Sequence, residues 1–293
     1  MNLDHFGMDT ITLAGPLEPK LRAVRAAGFT QIMLNASDIV GHPSGEPAAV
    51  AAVRASGLRV TGFQVLRDFE GLSGHLHAYK VDVAKAMFEM CSALGSRVLL
   101  VCSSTSAHAT ADFDALKKDL QKIAMLAVPY GIRIAYEALS WGRHVNEYPR
   151  SWELVQAADR SNLGLCLDSF HILAGDSGLE ALADIDPRKV FLVQLSDFMW
   201  QEVRSRDERI DTARHFRVFP GDGVHSEKLA EIVRRVDETG YRGDYSFEVF
   251  NDDYRTLPLP MVAERARRSV KWLTDQVSRR SLPPRRLARG EHR

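Results

Sequence analysis

The sequence predicts a single closed (β/α)8 barrel, and three observations carry that prediction. A phrase of amphipathic helix, glycine and apolar strand recurs five times, as RAAGFTQIML around Gly28, RASGLRVTGFQV around Gly57, SALGSRVLLV around Gly95, VPYGIRIAYE around Gly131 and DETGYRGDYSFEV around Gly240. Glycine ends a helix because it accepts the left-handed backbone that other residues resist. Apolar runs of strand length lie near Ile11, Ile32, Val60, Leu99, Ile134, Leu165, Leu192 and Phe247. Short strands alternating with helical patterns mean βα units and a parallel sheet. Finally, no early strand is followed by the glycine-rich phosphate-binding turn expected of an open, doubly wound sheet. The 293 residues also suit a closed barrel, commonly about 250 residues long.

The connecting helices are legible in order: LEPKLRAVRAAG after the first strand, HAYKVDVAKAMFEMCSALG after the third and FDALKKDLQKIAMLAV after the fourth. Each repeats apolar residues at three- and four-residue spacing. Between the seventh strand and the next helix, residues 198–225 form a long polar connection containing FMWQEVRSRDERIDTARHFRVFPGDG. Connections of this length in compact domains are functional or disordered. The barrel is expected to occupy residues 1–278, and RRSLPPRRLARGEHR, residues 279–293, reads as a solvated basic tail.

Composition narrows the partners. Lysines and arginines number 38, aspartates and glutamates 38, so the formal net charge is zero and no broad basic surface for nucleic acid is expected. No stretch approaches the roughly 20 apolar residues of a membrane span. Cys91, Cys102 and Cys166 are widely spaced without a C-x-x-C pair, which disfavours a disulfide framework or zinc knuckle and fits a reducing compartment. The N-terminus carries Asp4 and Asp9 and lacks the apolar centre of a signal peptide. The expectation is a cytoplasmic protein with no membrane or nucleic-acid partner, and self-association into a homo-oligomer is left open.

The strand ends carry the chemistry. Glu137 closes RIAYE, Asp168 closes LGLCLD, Gln194 closes VFLVQ, and Glu248 lies near the end of DYSFEV. Buried parallel strands are near-continuous apolar runs, and an isolated carboxylate there is costly unless it is paired or binds a cation. Side chains alternate along a strand. Glu137 shares its parity with Ala135, Asp168 with Cys166 and Gly164, and Glu248 with Ser246; the greasier parity faces the helices in all three. VFLVQ is apolar on both parities and decides nothing by itself. All four groups are expected to point inward at the C-terminal mouth, where barrel enzymes place their chemistry. Three carboxylates and an amide suit Mg²⁺ or Mn²⁺ better than zinc, with Co²⁺ admissible. The alternative for each residue is a strand-end cap satisfied by local hydrogen bonds.

On these strand-end positions the chain resembles the xylose-isomerase-like barrel superfamily, which includes sugar isomerases, epimerases, inosose dehydratases and family-two endonucleases. That resemblance implies a divalent metal held at the positions of Glu137, Asp168, Gln194 and Glu248. The strings YEALSWGRHVNEY, LCLDSFHILAGD, VQLSDF and HFRVFPGDG look like bacterial 3-dehydroshikimate dehydratases, metal-dependent lyases that make protocatechuate in quinate and shikimate breakdown. One branch of those enzymes fuses a dioxygenase-like domain after the barrel, and the expectation here is a barrel alone. The family loop reads Ser-Arg-His-Phe-Arg, whereas this chain has Ala213 before Arg214, His215, Phe216 and Arg217, which puts one substrate hydrogen bond in doubt.

Roles follow for a small, carboxylated cyclic substrate. His171, three residues after Asp168, is the expected base, because imidazole titrates near neutrality; the resemblance implies catalysis there too. Glu137 or Glu248 is expected to protonate the leaving hydroxyl. Arg67, after the third strand, and Arg217 are expected to grip the substrate carboxylate, since guanidinium binds carboxylate in a bidentate fork. Arg143, His144 and Asn146 are placed at the mouth, His215 is a secondary substrate contact, His75 and His77 fall in a polar loop, and Cys166 is small packing. The competing function is an isomerase or epimerase of a sugar or sugar phosphate built on the same metal site. An endonuclease would need a basic surface that the neutral charge does not provide.

Overall fold

The computed structural model describes residues 3–280. Eight parallel strands close into a barrel: β1 (Phe6–Asp9), β2 (Gln31–Asn35), β3 (Arg59–Arg67), β4 (Val98–Cys102), β5 (Arg133–Glu137), β6 (Leu163–Asp168), β7 (Val190–Leu195) and β10 (Tyr245–Phe247). Their order around the barrel is β1-β10-β7-β6-β5-β4-β3-β2, so each strand pairs with its sequence neighbours and the last closes on the first. The connecting helices are α1 (Leu17–Ala26), α2 (Ala36–Val40), α3 (Glu46–Ser56), α4 (Gly74–Leu94), α5 (Phe113–Ala127), α6 (Tyr148–Ala158), α7 (Ser169–Ala174), α8 (Arg206–His215), α9 (Ser226–Glu238) and α10 (Leu259–Arg280). All five glycines of the recurring phrase have positive φ. Among the described residues, no helix is long and apolar enough to cross a membrane.

Two separate apolar clusters divide the strand parities. Tyr136, Leu165, Leu167, Val193, Leu195 and Phe247 belong to the large cluster between sheet and helices. Met33, Leu100, Cys102, Ala135, Cys166 and Leu192 form a smaller one inside the barrel. In the ambiguous strand Val193 belongs to the outer cluster, and Gln194 faces the interior, where its Oε1 meets the Cys166 thiol. Register aligns Gln194 with Asp168 on one side and with Ser246 on the other.

Four expectations are corrected. The first strand ends at Asp9, and Ile11 sits in a 3-10 turn whose N–H donates to Asp9 Oδ1 at 2.9 Å. The β-branched Thr-Ile-Thr sequence favours a strand locally, but pairing with β10 and β2 selects Phe6–Asp9 instead. Residues 198–225 are not an irregular loop. They contain α8, begun by a capping box between Ser205 and Glu208, and β9 (Arg217–Val218), which pairs antiparallel with β8 (Asp197–Phe198). That helix is polar nearly all round, so it leaves no periodic signal. His75 and His77 belong to α4, where His77 packs on Phe69 and lies 3.7 Å from Asp119. Of the expected tail, residues 279–280 end α10 and the remainder lies outside the described residues.

Candidate active site

At the C-terminal mouth, a cavity of about 390 Å³ is lined by residues from β3, β4, β5, α8 and the segments that follow the strands. Glu137, Cys102, Gln64, Arg67, His171, Arg217 and Glu248 are among its walls, with Leu139, Trp141 and Phe250 as apolar surface. Strand closure brings the acids together: ligand atoms of Glu137, Asp168 and His171 all lie within 4.8 Å of one another, and all three residues are buried. Glu248 joins them through Arg217, whose Nη1 donates to Asp168 Oδ2 at 2.8 Å and to Glu248 Oε2 at 3.0 Å.

The cluster is short of positive charge and of hydrogen-bond donors. Burial, reinforced by Asp168 and Glu248, pushes the Glu137 carboxyl well above the usual carboxylate range. Glu137 Oε2 accepts the Cys102 thiol at 2.8 Å, while Oε1 is buried without a hydrogen-bond partner. An orphaned carboxylate oxygen is expensive unless something electropositive meets it. Burial also raises Glu248, with Arg217 and a hydrogen bond from Gln64 pulling it partly back. Gln194 lies beneath this layer: its Oε1 accepts from the Cys166 thiol at 3.2 Å, and its Nε2 is 3.8 Å from the Met33 sulfur.

The tautomer of His171 is governed by Ser140. Ser140 approaches His171 Nδ1 with both its backbone N–H, at 3.1 Å, and its Oγ, at 3.2 Å. If Nδ1 accepts the N–H, the ring proton sits on Nε2. If Nδ1 donates to the hydroxyl, the Nε2 lone pair faces Asp168 Oδ2, 3.7 Å away. Burial pulls the ring down to about 3, against the opposing pull of Asp168, so the imidazole is uncharged at neutral pH.

The expected substrate contacts separate. Arg67 is exposed on the cavity rim. Arg217 lines the cavity but is only 3% exposed and is held between Phe170 and Phe250, 4.4 and 5.3 Å from their ring centres. Its charge is engaged by Asp168 and Glu248. His144 stands outside the lining and buttresses it, with Nε2 bonded to Ala109 O at 2.9 Å; the Arg143 N–H likewise donates to Ser104 O at 2.7 Å. His215 pairs with Asp252 at 2.9 Å and is also outside the lining.

Sequence reading missed several contributors. Asp9, fully buried, accepts from Gln64 Nε2 beside Glu248. It closes FGMD just as Asp168 closes its own run, but the β-branched Thr-Ile-Thr beyond it draws the strand expected from sequence toward Ile11. Ser140 and Gln64 left no signal, and Arg214 stood out only as part of the loop after Ala213, since only closure shows what they face. Behind the wall, Glu70 Oε1 accepts from the Ser104 N–H at 2.5 Å and the Tyr136 hydroxyl at 2.9 Å, while Oε2 is buried unpaired.

Burial pushes the Glu70 carboxyl from 4.5 up to about 7. Folding therefore favours its protonated form. The associated stability is complete below about pH 4.5 and is lost as pH rises to about 7, an effect on the order of 3 kcal/mol. In Glu70→Gln this decline should vanish. Urea unfolding of both proteins across that window measures it, and parallel stability curves would contradict it.

A family model described as xylose isomerase-like TIM barrel matches residues 21–276. The chain belongs to this family. It is 38% identical over 269 residues to a 3-dehydroshikimate dehydratase of Pseudomonas aeruginosa, an alignment covering 92% of this chain and 41% of that protein. The chain thus spans about two fifths of that relative's length. An inosose isomerase of Bacillus subtilis is 29% identical over 198 residues, 66% of each chain. Among solved structures, a xylose isomerase-like TIM barrel/4-hydroxyphenylpyruvate dioxygenase fusion protein superposes with a TM-score of 0.88 at 37% identity, over 94% of this chain and 43% of that one.

Proposed function

We propose that this member of the xylose isomerase-like TIM barrel family is a divalent-metal-dependent 3-dehydroshikimate dehydratase that forms protocatechuate. The observation carrying this reading is Glu137 Oε1, a buried acceptor without a donor, among Asp168 and Glu248 at the floor of a small cavity. An all-oxygen donor set of this kind fits a hard divalent cation, Mg²⁺ or Mn²⁺ before Co²⁺. Glu137, Asp168, Gln194 and Glu248 would hold it, with the Gln194 amide turning from the Cys166 thiol. Bound there, the metal supplies Lewis-acid polarisation of the substrate ketone and its adjacent hydroxyl.

The remaining work falls to side chains. His171, uncharged, removes the proton alpha to the ketone through Nε2 when Nδ1 donates to Ser140 Oγ. Asp168, 3.7 Å from Nε2, then stabilises the charged ring. Glu137 or Glu248, each raised above the usual carboxylate range by burial and by neighbouring like charge, protonates the departing β-hydroxyl. Leu139, Trp141 and Phe250 exclude water from the ring faces, and tautomerisation completes the aromatic product.

Ser140→Ala keeps the N–H but loses the hydroxyl acceptor, so the unproductive tautomer gains weight. Turnover should fall about tenfold, with KM changed little, as expected for a partner that orients a catalytic group. Wild-type kcat in this variant would remove Ser140 from the mechanism.

The reading as a whole is tested by supplying purified protein with 3-dehydroshikimate and Mn²⁺ or Mg²⁺ and following protocatechuate absorbance. A folded, metal-binding protein that forms none would favour the isomerase reading, which the similarity to the Bacillus subtilis inosose isomerase supports and which uses the same acids to move a proton between carbons.

A further inference from the structure

The cavity wall holds three guanidinium groups, and their partners divide them into two kinds. Arg217 is committed: Nε donates to Ala213 O at 3.0 Å, and Nη1 bonds Asp168 and Glu248. Arg67, at the end of β3, and Arg214, in the last turn of α8, line the same cavity, are exposed, and enter no ion pair among the described residues. Below them lie Glu137, Asp168 and Glu248. The cavity therefore has a positive rim and an acidic floor, a field that orients a small anion with its charge outward.

Both rim cations sit on anchored backbone. Arg67 O accepts from Lys80 Nζ at 2.7 Å, and the adjacent Asp68 Oδ1 accepts the Thr105 N–H at 2.7 Å. Helix α8 starts with its capping box and is fastened across the mouth by Arg209 Nη1, which donates to Ser140 O at 3.0 Å. Charged groups carried by regular elements hold their position better than those on free loops. Neighbouring Ala213 offers no hydroxyl, so at this part of the rim Arg214 is the polar group that faces the cavity.

We propose that Arg214 is a specificity-determining residue that, with Arg67, binds the substrate's carboxylate at the rim, leaving Arg217 to the acidic floor. The substrate's identity rests on the dehydratase reading; the clamp itself requires only a carboxylated ring. With the carboxylate at the rim, the oxygen-bearing end of the ring reaches the floor, where Glu137, Glu248 and His171 stand.

The test compares 3,4-dihydroxybenzoate with its uncharged carboxamide, 3,4-dihydroxybenzamide, by calorimetric titration into the full chain supplied with Mn²⁺. Arg214→Ala should weaken the acid by about tenfold or more and the amide by less than about twofold, the size expected for a charge-assisted contact. Arg214→Lys should recover part of the loss, and Arg67→Ala should show the same selectivity. In turnover, KM for 3-dehydroshikimate should rise about as much as the acid's Kd, with kcat within about threefold. Equal loss for acid and amide would mean a merely structural role, and unchanged acid affinity would mean a surface arginine; either overturns the clamp, as does a wild-type protein with no preference for the acid. Arg214-dependent preference for the acid without turnover of 3-dehydroshikimate would sink the dehydratase reading and leave the clamp standing.

Discussion

Glu137→Gln should reduce turnover by at least about 10³-fold while leaving the barrel folded. The substitution keeps the shape of the side chain and removes its charge. The Cys102 thiol can still donate to the retained carbonyl, but the oxygen that lacked a donor becomes an amide nitrogen pointing at other acids. A metal loses an anionic ligand, and the several kcal/mol of charge stabilisation expected from it weaken accordingly. Stability should move the other way. Desolvation and the repulsion of Asp168 and Glu248 disfavour the charged glutamate, so a neutral isostere holds or raises the melting temperature in metal-free buffer. Parallel kinetics and thermal melts check both halves. More than about a tenth of wild-type turnover would remove Glu137 from the chemistry.

Arg217→Ala carries the largest expected cost in stability. It strands Asp168 and Glu248 as buried acids without their cation and empties the space between Phe170 and Phe250. Breaking one partner out of a buried ion pair costs about 3–5 kcal/mol. The pH dependence has a definite sign. Arg217 lowers the Glu248 carboxyl, so its removal raises that group further above its unfolded value. Folding then prefers protonated Glu248, and the deficit is smallest in acid and grows as pH rises through the folded pKa. Urea unfolding at several pH values, with chelator and then with Mn²⁺, measures this. A metal that replaces the lost charge should restore part of the deficit. A pH-independent loss below about 1 kcal/mol would show that the guanidinium is not the cluster's counter-cation.

The contrast between these two residues shows how far the sequence reaches. Glu137 was legible because a carboxylate at the end of a short apolar run is costly wherever that run is buried, and strand parity says which way it points. Asp168 and Glu248 were legible for the same reason. Arg217 was visible as a cation in a polar stretch and was expected to grip a substrate carboxylate, but no local pattern showed the internal acids that it meets. Helix α8 shows a different failure. Its start is written in Ser205 and Glu208, but its polar surface hides the period that identifies a helix. Asp9 shows a third, since local β-branched propensity drew the first strand to Ile11 and away from the residue that ends it.

The sequence by itself determined the closed barrel, the inward parity of Glu137, Asp168 and Glu248, and their gathering at one mouth. Those features follow from periodicity and from the cost of burying charge, both written in neighbouring residues. Only the tertiary structure decided that Gln194 faces the interior, that Ser140 meets Nδ1 of His171, and that Arg217 is ion-paired to the floor while Arg67 and Arg214 enter no ion pair among the described residues. Electrostatic roles depend on separations of a few ångströms between residues far apart in the chain. Strand closure sets those separations, and no local pattern records them.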